Sequence, residues 1–222
     1  MMCTRFSLTA ELDQLTEDFR IDTVHVPYQR RYNISPTQDI PVIQQVGEER
    51  CLNQQRWGLM PYWGKNSIHA DRDTLGEKPY LNVMLSKTRC VIPCSGFYYW
   101  KDEGKARRAW HVVHTGKSVF GMAGIYDMWN DSEKNKFPMC TVITTASSIG
   151  MDRALPLILD ESAIDTWLNP KVTKLDVLRD VLRSLPDTEF RAYPVSPRVE
   201  DYMVETPECI AELRPSFQLM KK

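Results

Sequence analysis

The chain has no apolar run of the roughly 18 or more residues that would cross a membrane as a helix, and no signal-peptide pattern near its start. It also lacks a charge excess, with 28 Lys and Arg against 29 Asp and Glu. With 42% hydrophobic residues, that balance describes an ordinary soluble globular protein. It excludes a polyelectrolyte or a disordered tail, and any nucleic-acid surface has to be local. No Gly-rich phosphate loop, Gly-x-Ser-x-Gly elbow or His-Glu-x-x-His helix is present, so the usual signals of nucleotide binding, serine hydrolysis and zinc proteolysis are missing. Repeats, low-complexity tracts and long linkers are missing as well. At 222 residues, one domain spanning 1–222 is the simplest division.

What is present is a β-rich middle between helical ends. Leu8, Leu12, Leu15 and Phe19 recur at helical spacing, which predicts a short amphipathic helix over 8–19. "RRYNISPTQDIPVIQQV" reads as a loop punctuated by Ser35-Pro36 and entering a strand. Further strands are expected in "QRWGLMPYW", "RCVIPCSGFYYW", "AWHVVHTG", "SVFGMAGIYDMW", "MCTVITTA" and "FRAYPVS". Helical spacing returns in "ESAIDTWL" and "KLDVLRDVLRSL". The expected class is α+β, helices gathered around a mainly antiparallel sheet or barrel.

Six cysteines, at 3, 51, 90, 94, 140 and 209, form no compact framework and read as reduced cytosolic thiols. Cys90 and Cys94 followed by His111 and His114 loosely resemble a zinc pattern. Both pairs fall in predicted strands, where residues three apart point to opposite faces, so His111 and His114 should not converge on a metal. Cys90, Cys94 and Cys140 lie in apolar runs and read as small buried hydrophobes.

Cys3 is different, because termini are usually exposed. Met1 before Met2 should be retained, whereas initiation at Met2 would let processing expose Cys3. An unblocked α-amine titrates near 7.7–8.0 and a thiol near 8.5, so such a residue carries two nucleophiles. The amine can form a Schiff base with an aldehyde, and the thiol can then close a five-membered thiazolidine. Arg5, with Arg30, Arg31, Arg56, Arg72 and Arg89, could meet phosphates, and Tyr32, Trp57, Tyr62 and Trp63 could stack on unpaired bases; scattered surface arginines and a core Trp57 are the plainer alternative.

In order along the chain, "MCTRF", "YNISPTQ", "RWGLMPYW", "EKPYL", "KTRCVIPCSGFYYW", "FGMAGIYDMW", "CTVITTA", "LPLIL" and "WLNP" resemble the SRAP domain. This is the SOS-response-associated peptidase family, whose members process abasic sites in single-stranded DNA. The resemblance covers nearly the whole chain. It implies that Cys3 forms a thiazolidine with a ring-opened abasic sugar. It also implies DNA contacts from Arg5, Asn33, Pro36, Trp63, Arg72 and Arg153. The polar partners depart from the family pattern. His69 and Asp71 fall where the family has the Asn and Arg of Asn-Ala-Arg, Tyr99 where Gly-Phe-Tyr-Glu-Trp has Glu, and Asp152 or Arg153 where it has His. His69 and Asp152 can still move protons, whereas Tyr99 is a weak base that can donate a hydrogen bond.

Three readings follow. In the first, the protein binds single-stranded or junction DNA and traps abasic sites through Cys3, with His69, Tyr99 and Asp152 around it. The second is a non-catalytic DNA- or protein-binding module with a degenerate site. The third is a thiol peptidase, for which His25, His111 and His114 offer no evident base. No cofactor, metal or membrane partner is expected, the protein partner is left open, and a cytoplasmic monomer is expected.

Overall fold

In a computed structural model, residues 5–59, 67–104, 106–145, 154–183 and 186–213 are described. Cys3, Trp63, Asp152 and Arg153 lie outside them. In chain order the elements are β1 (Phe6–Leu8), α1 (Leu12–Phe19), β2 (Thr23–Val24), β3 (Arg31–Ile34), β4 (Asp39–Val46), β5 (Glu49–Trp57) and β6 (His69–Asp71). There follow α2 (Pro79–Lys87), β7 (Arg89–Cys94), β8 (Gly96–Glu103), β9 (Ala106–His114), β10 (Phe120–Asn130) and β11 (Lys136–Thr145). β12 (Leu155–Pro156), β13 (Ile158–Leu159), α3 (Glu161–Leu168), α4 (Leu175–Val181) and β14 (Phe190–Pro194) complete the set. No helix among the described residues is long and apolar enough to cross a membrane.

The class is α+β, as the sequence pattern predicts. One sheet runs β14-β9-β8-β1-β3; the other runs β12-β11-β10-β7-β4-β5-β2. The second sheet curls until β5 and β11 meet in parallel, with Met139 opposite Arg56 and Cys140 opposite Trp57, so that β5, β4, β7, β10 and β11 form a ring. Closure removes two sheet edges and makes the interior tight. At Gly124, midway along β10, an added Cβ would come within 2.9 Å of Cys90 Sγ and 3.0 Å of Ile92 Cδ1, which is why a residue without a side chain stands there.

Ile43, Leu52, Val91, Ala123 and Ile125 are fully buried on one face of the ring strands, and Cys90 and Cys140 are fully buried on the other. Burial pushes both thiols up, so they stay protonated and act as apolar filler. All five described cysteines are buried, and no disulfide joins them.

Two differences from the sequence pattern have local causes. Leu8 does not belong to the helix: it is fully buried in β1, in register with Arg31 of β3, and α1 starts only after Glu11. Sheet pairing overrides its helical spacing. The second difference is α2, which the sequence reading leaves out. "PYLNVMLSK" begins with Pro at the first helical position and buries Leu81, Met84 and Leu85, yet its apolar residues are too evenly spread to mark one face.

Candidate functional site

The first described residues hold the start of the chain against both sheets. β1 lies between β3 and β8, with Phe6 opposite Ile34 on one side and Phe97 on the other. The Arg5 carbonyl accepts a hydrogen bond from the Tyr98 amide at 3.0 Å, one residue before Tyr99. The Phe6 ring meets Trp57 of β5 edge-on, with centroids 5.3 Å apart, and Trp57 meets His69 of β6 at 6.3 Å. The indole N–H of Trp57 donates to the Ile68 carbonyl at 2.9 Å, fixing the chain that leads into His69.

His69 and Asp71 pair in parallel with Val142 and Thr144 of β11, so Trp57, His69, Val142 and Thr144 share the face turned toward Phe6. Thr144 is fully buried, and its hydroxyl has no hydrogen-bond partner among the described residues. Sequence reasoning missed it. The only signal is alternation along "VITTA", which places Val142 and Thr144 on one face.

Tyr99 stands on the face of β8 that carries Phe97, half-buried, with its ring stacked on Trp110 at 6.2 Å and 30°. Burial first, then the nearby Glu103 carboxylate, raise its phenol pKa. Tyr99 is therefore protonated at neutral pH, a hydrogen-bond donor rather than a base.

Arg5 and Asn33 are brought into direct contact. Arg5 Nη1 donates to Asn33 Oδ1 at 3.0 Å and Nη2 to the Glu200 carbonyl at 2.7 Å. Asn33 is fully buried, and its amide donates to the carbonyls of Val199, Asp201 and Val204. Glu205 accepts from the backbone N–H groups of Tyr32 and Asn33 and pairs with Arg31 at 2.9 Å. Asn33 thus stands inside the protein, where it ties the N-terminal strand to the segment after β14. No local pattern in the sequence announces Glu205, which lies more than 170 positions from its partners.

Pro36 sits half-buried in the turn between β3 and β4, where Thr37 takes a left-handed conformation at φ 70° and donates its N–H to the Trp57 carbonyl. Arg72 turns toward its own side of the fold, donating to Asp73 and to the Leu182 carbonyl. Arg89, one of the cations counted in the sequence, is buried. The Asp71 carboxylate accepts from the Asp73 N–H at 2.9 Å, capping the 3₁₀ turn Arg72–Glu77. Replacing Asp71 by Arg removes that cap. The expected loss is about 1 kcal/mol of stability, read as a lowered urea midpoint; an unchanged midpoint would mean that the cap contributes nothing.

The segments holding Trp63 and Asp152-Arg153 leave and re-enter the described structure at paired residues. Leu59 and Ser67 exchange two backbone hydrogen bonds, and Thr145 pairs with Leu155. Both pairs adjoin the strands that carry His69 and Asp71.

The histidines on β9 have separate surroundings. His111 contacts Ser7, Tyr98 and Tyr193, whereas His114 accepts from the Gly116 N–H and faces Glu189, with its ring between Phe120 and Phe190. Their side chains point to opposite faces, as strand alternation requires.

Comparison with solved structures agrees with this architecture. A protein from Bacteroides thetaiotaomicron superposes with TM-score 0.79 at 21% identity, over 96% of this chain and all of that one. A phage-related protein from Bordetella bronchiseptica gives 0.73 at 23%, over 87% and 94%. At the sequence level, the family described as SOS response associated peptidase (SRAP) matches residues 2–202. The chain belongs to the SRAP family. Among its relatives is the Bacillus subtilis abasic site processing protein YoqW, 35% identical over 221 residues, covering 94% of this chain and 99% of that one. The rat abasic site processing protein HMCES is 28% identical over 240 residues, covering 86% and 66%.

Proposed function

We propose that this protein processes abasic sites: it binds single-stranded DNA and captures the ring-opened sugar at Cys3. The observation that carries the reading is the seating of the N-terminal strand. Arg5 is locked to Asn33 and Glu200, and Phe6 is wedged against Trp57, so the first described residues lie against the strands that carry Tyr99 and His69, which supports a role for the residues before them. The relatives named abasic site processing proteins support the abasic-site part of this reading. The Cys3 amine adds to the aldehyde carbon and water leaves to give an iminium. The thiolate then adds to the same carbon. One C–N and one C–S bond replace the C=O bond, and one water is released. Tyr99 donates a hydrogen bond to the departing oxygen, while His69 and Asp152 move protons.

Incubation with an abasic single-stranded oligonucleotide should give a denaturation-resistant shifted band that disappears in Cys3→Ala. Intact mass should show a species beginning at Cys3. If wild type and Cys3→Ala give the same lane, covalent capture is wrong. The substituted site favours a second reading, a non-covalent DNA-binding module, because Asp71 is engaged in capping and Tyr99 is held protonated. DNA affinity without any adduct, equal in wild type and Cys3→Ala, would establish it.

A further inference from the structure

Beyond the site, β8 and β9 run on as a two-stranded ribbon that ends in open solvent. Gly104 turns the tip at φ 67°, with no atom near where a Cβ would stand, and Lys101, Arg107 and Arg108 are exposed. Residues 101–108 hold four cations, Lys101, Lys105, Arg107 and Arg108, against Asp102 and Glu103, in a chain whose formal net charge is −1. Two of these cations rest on tryptophan faces on opposite sides of the ribbon. Lys101 Nζ lies 5.8 Å from the Trp110 ring, and the Arg107 guanidinium lies 5.3 Å from Trp100. An aromatic face orients a cation without neutralising it, and so leaves it able to meet an anion. Arg108 stays more than half exposed although Glu103 lies 3.4 Å away.

The ribbon is continuous with the candidate site. Tyr99 stacks on Trp110, Lys101 is in register with Arg108, and Lys101 lies two residues along β8 from Tyr99, about 7 Å. We propose that this ribbon is a phosphate-tracking arm, on which Lys101 and Arg108, on the face that carries Tyr99 and Trp110, bind the backbone of single-stranded DNA as it leaves the reacting nucleotide. The inference rests on the DNA-binding reading above. Single-stranded DNA fits because the recognition is of charge spaced along a line, and because the aromatic floor beside it, Tyr99 on Trp110, suits an unstacked base. Asp102 and Glu103 then act as brakes on affinity.

The test is anisotropy of a fluorescent, undamaged single-stranded oligonucleotide over a salt series, with the full chain. Lys101→Ser/Arg108→Ser should weaken binding about tenfold at low salt. It should also flatten the dependence of log K on log salt by about 1.4, the share of two phosphate contacts at about 0.7 each. Asp102→Ser/Glu103→Ser should tighten binding, a gain that misfolding could not produce. Wild-type binding left unchanged in affinity and slope by both variants overturns the arm alone. Absence of wild-type binding overturns the DNA reading and the arm together.

Discussion

Arg89→Met should cost about 3–5 kcal/mol, a large part of the stability of a domain of this size. Arg89 opens β7, is buried, and has no carboxylate partner among the described residues. Its guanidinium donates instead to four carbonyls: Leu85 and Ser86 in the last turn of α2, and Trp167 and Asn169 at the end of α3. These are helix C-terminal carbonyls without intrahelical partners, carrying the negative end of each helix dipole. The Trp167 ring lies 5.8 Å away. Desolvation lowers the Arg89 pKa, yet an arginine stays charged, and five donors in a fixed plane can serve two helix ends at once. Methionine fills similar volume and leaves all four carbonyls without this partner, at about 1–3 kcal/mol for each that water cannot reach. Arg89→Lys, with three donors and no plane, should lose less. Urea unfolding followed by circular dichroism measures both; a Met variant within 1 kcal/mol of wild type would show that the helix ends are satisfied otherwise.

Arg89 also shows where the sequence is silent. In the string it is one arginine among several, and nothing local separates it from Arg72 or Arg5. Its role depends on two helices ending at the same point, a tertiary fact. The periodic parts were legible: the strands around "VIPC", "MAGIY" and "CTVITT" alternate or run apolar, and α3 and α4 show one apolar face. Closure of the sheet through the parallel β5–β11 pair was not legible, because strand pairing across more than 80 residues leaves no local mark. The spacing of Leu8 was misleading because its backbone is paired with Arg31 of β3.

For the candidate site, short motifs located the strands better than they assigned roles. "YNISPTQ" brings Asn33 and Pro36 into the right neighbourhood, but Asn33 is an internal tie rather than a surface group. Asp71 reads as a lost arginine in the sequence and is a helix cap in the fold. Residue identity alone cannot distinguish a carboxylate aimed at ligand from one aimed at the N–H two positions on.

Wild type should lose about 3 kcal/mol of stability as pH falls from 7 to below 4, through His111 alone. His111 is 2% exposed, between Ser7 on β1 and Tyr193 on β14. Ser7 Oγ also faces the Gly96 carbonyl, and the Tyr193 hydroxyl faces that of Ile210, which makes four contacts. With a neutral imidazole, the two hydroxyls and one ring N–H supply three hydrogens, one too few. A proton on the ring would complete the set, but burial opposes it more strongly and pushes the His111 pKa down to about 4, against a raising contribution from Gly96. The unfolded chain takes up that proton near pH 6.5 and the folded one only near 4, so between those values the unfolded state binds more protons and stability falls with pH. About 2 kcal/mol of the loss should come between pH 7 and 5 and the remainder by pH 3. Tyr98 and Tyr193 are the titratable groups in ring contact with the imidazole, and both phenols are raised, so neither changes charge in this range. His111→Gln keeps a donor and an acceptor without the titration. The wild-type minus Gln difference in unfolding free energy, measured at pH 7, 5 and 3, cancels the carboxylates that titrate in both. A flat difference would mean that His111 titrates alike in the folded and unfolded chain, and a difference that rises as pH falls would mean that it is already protonated at neutral pH, with all four contacts of its network supplied.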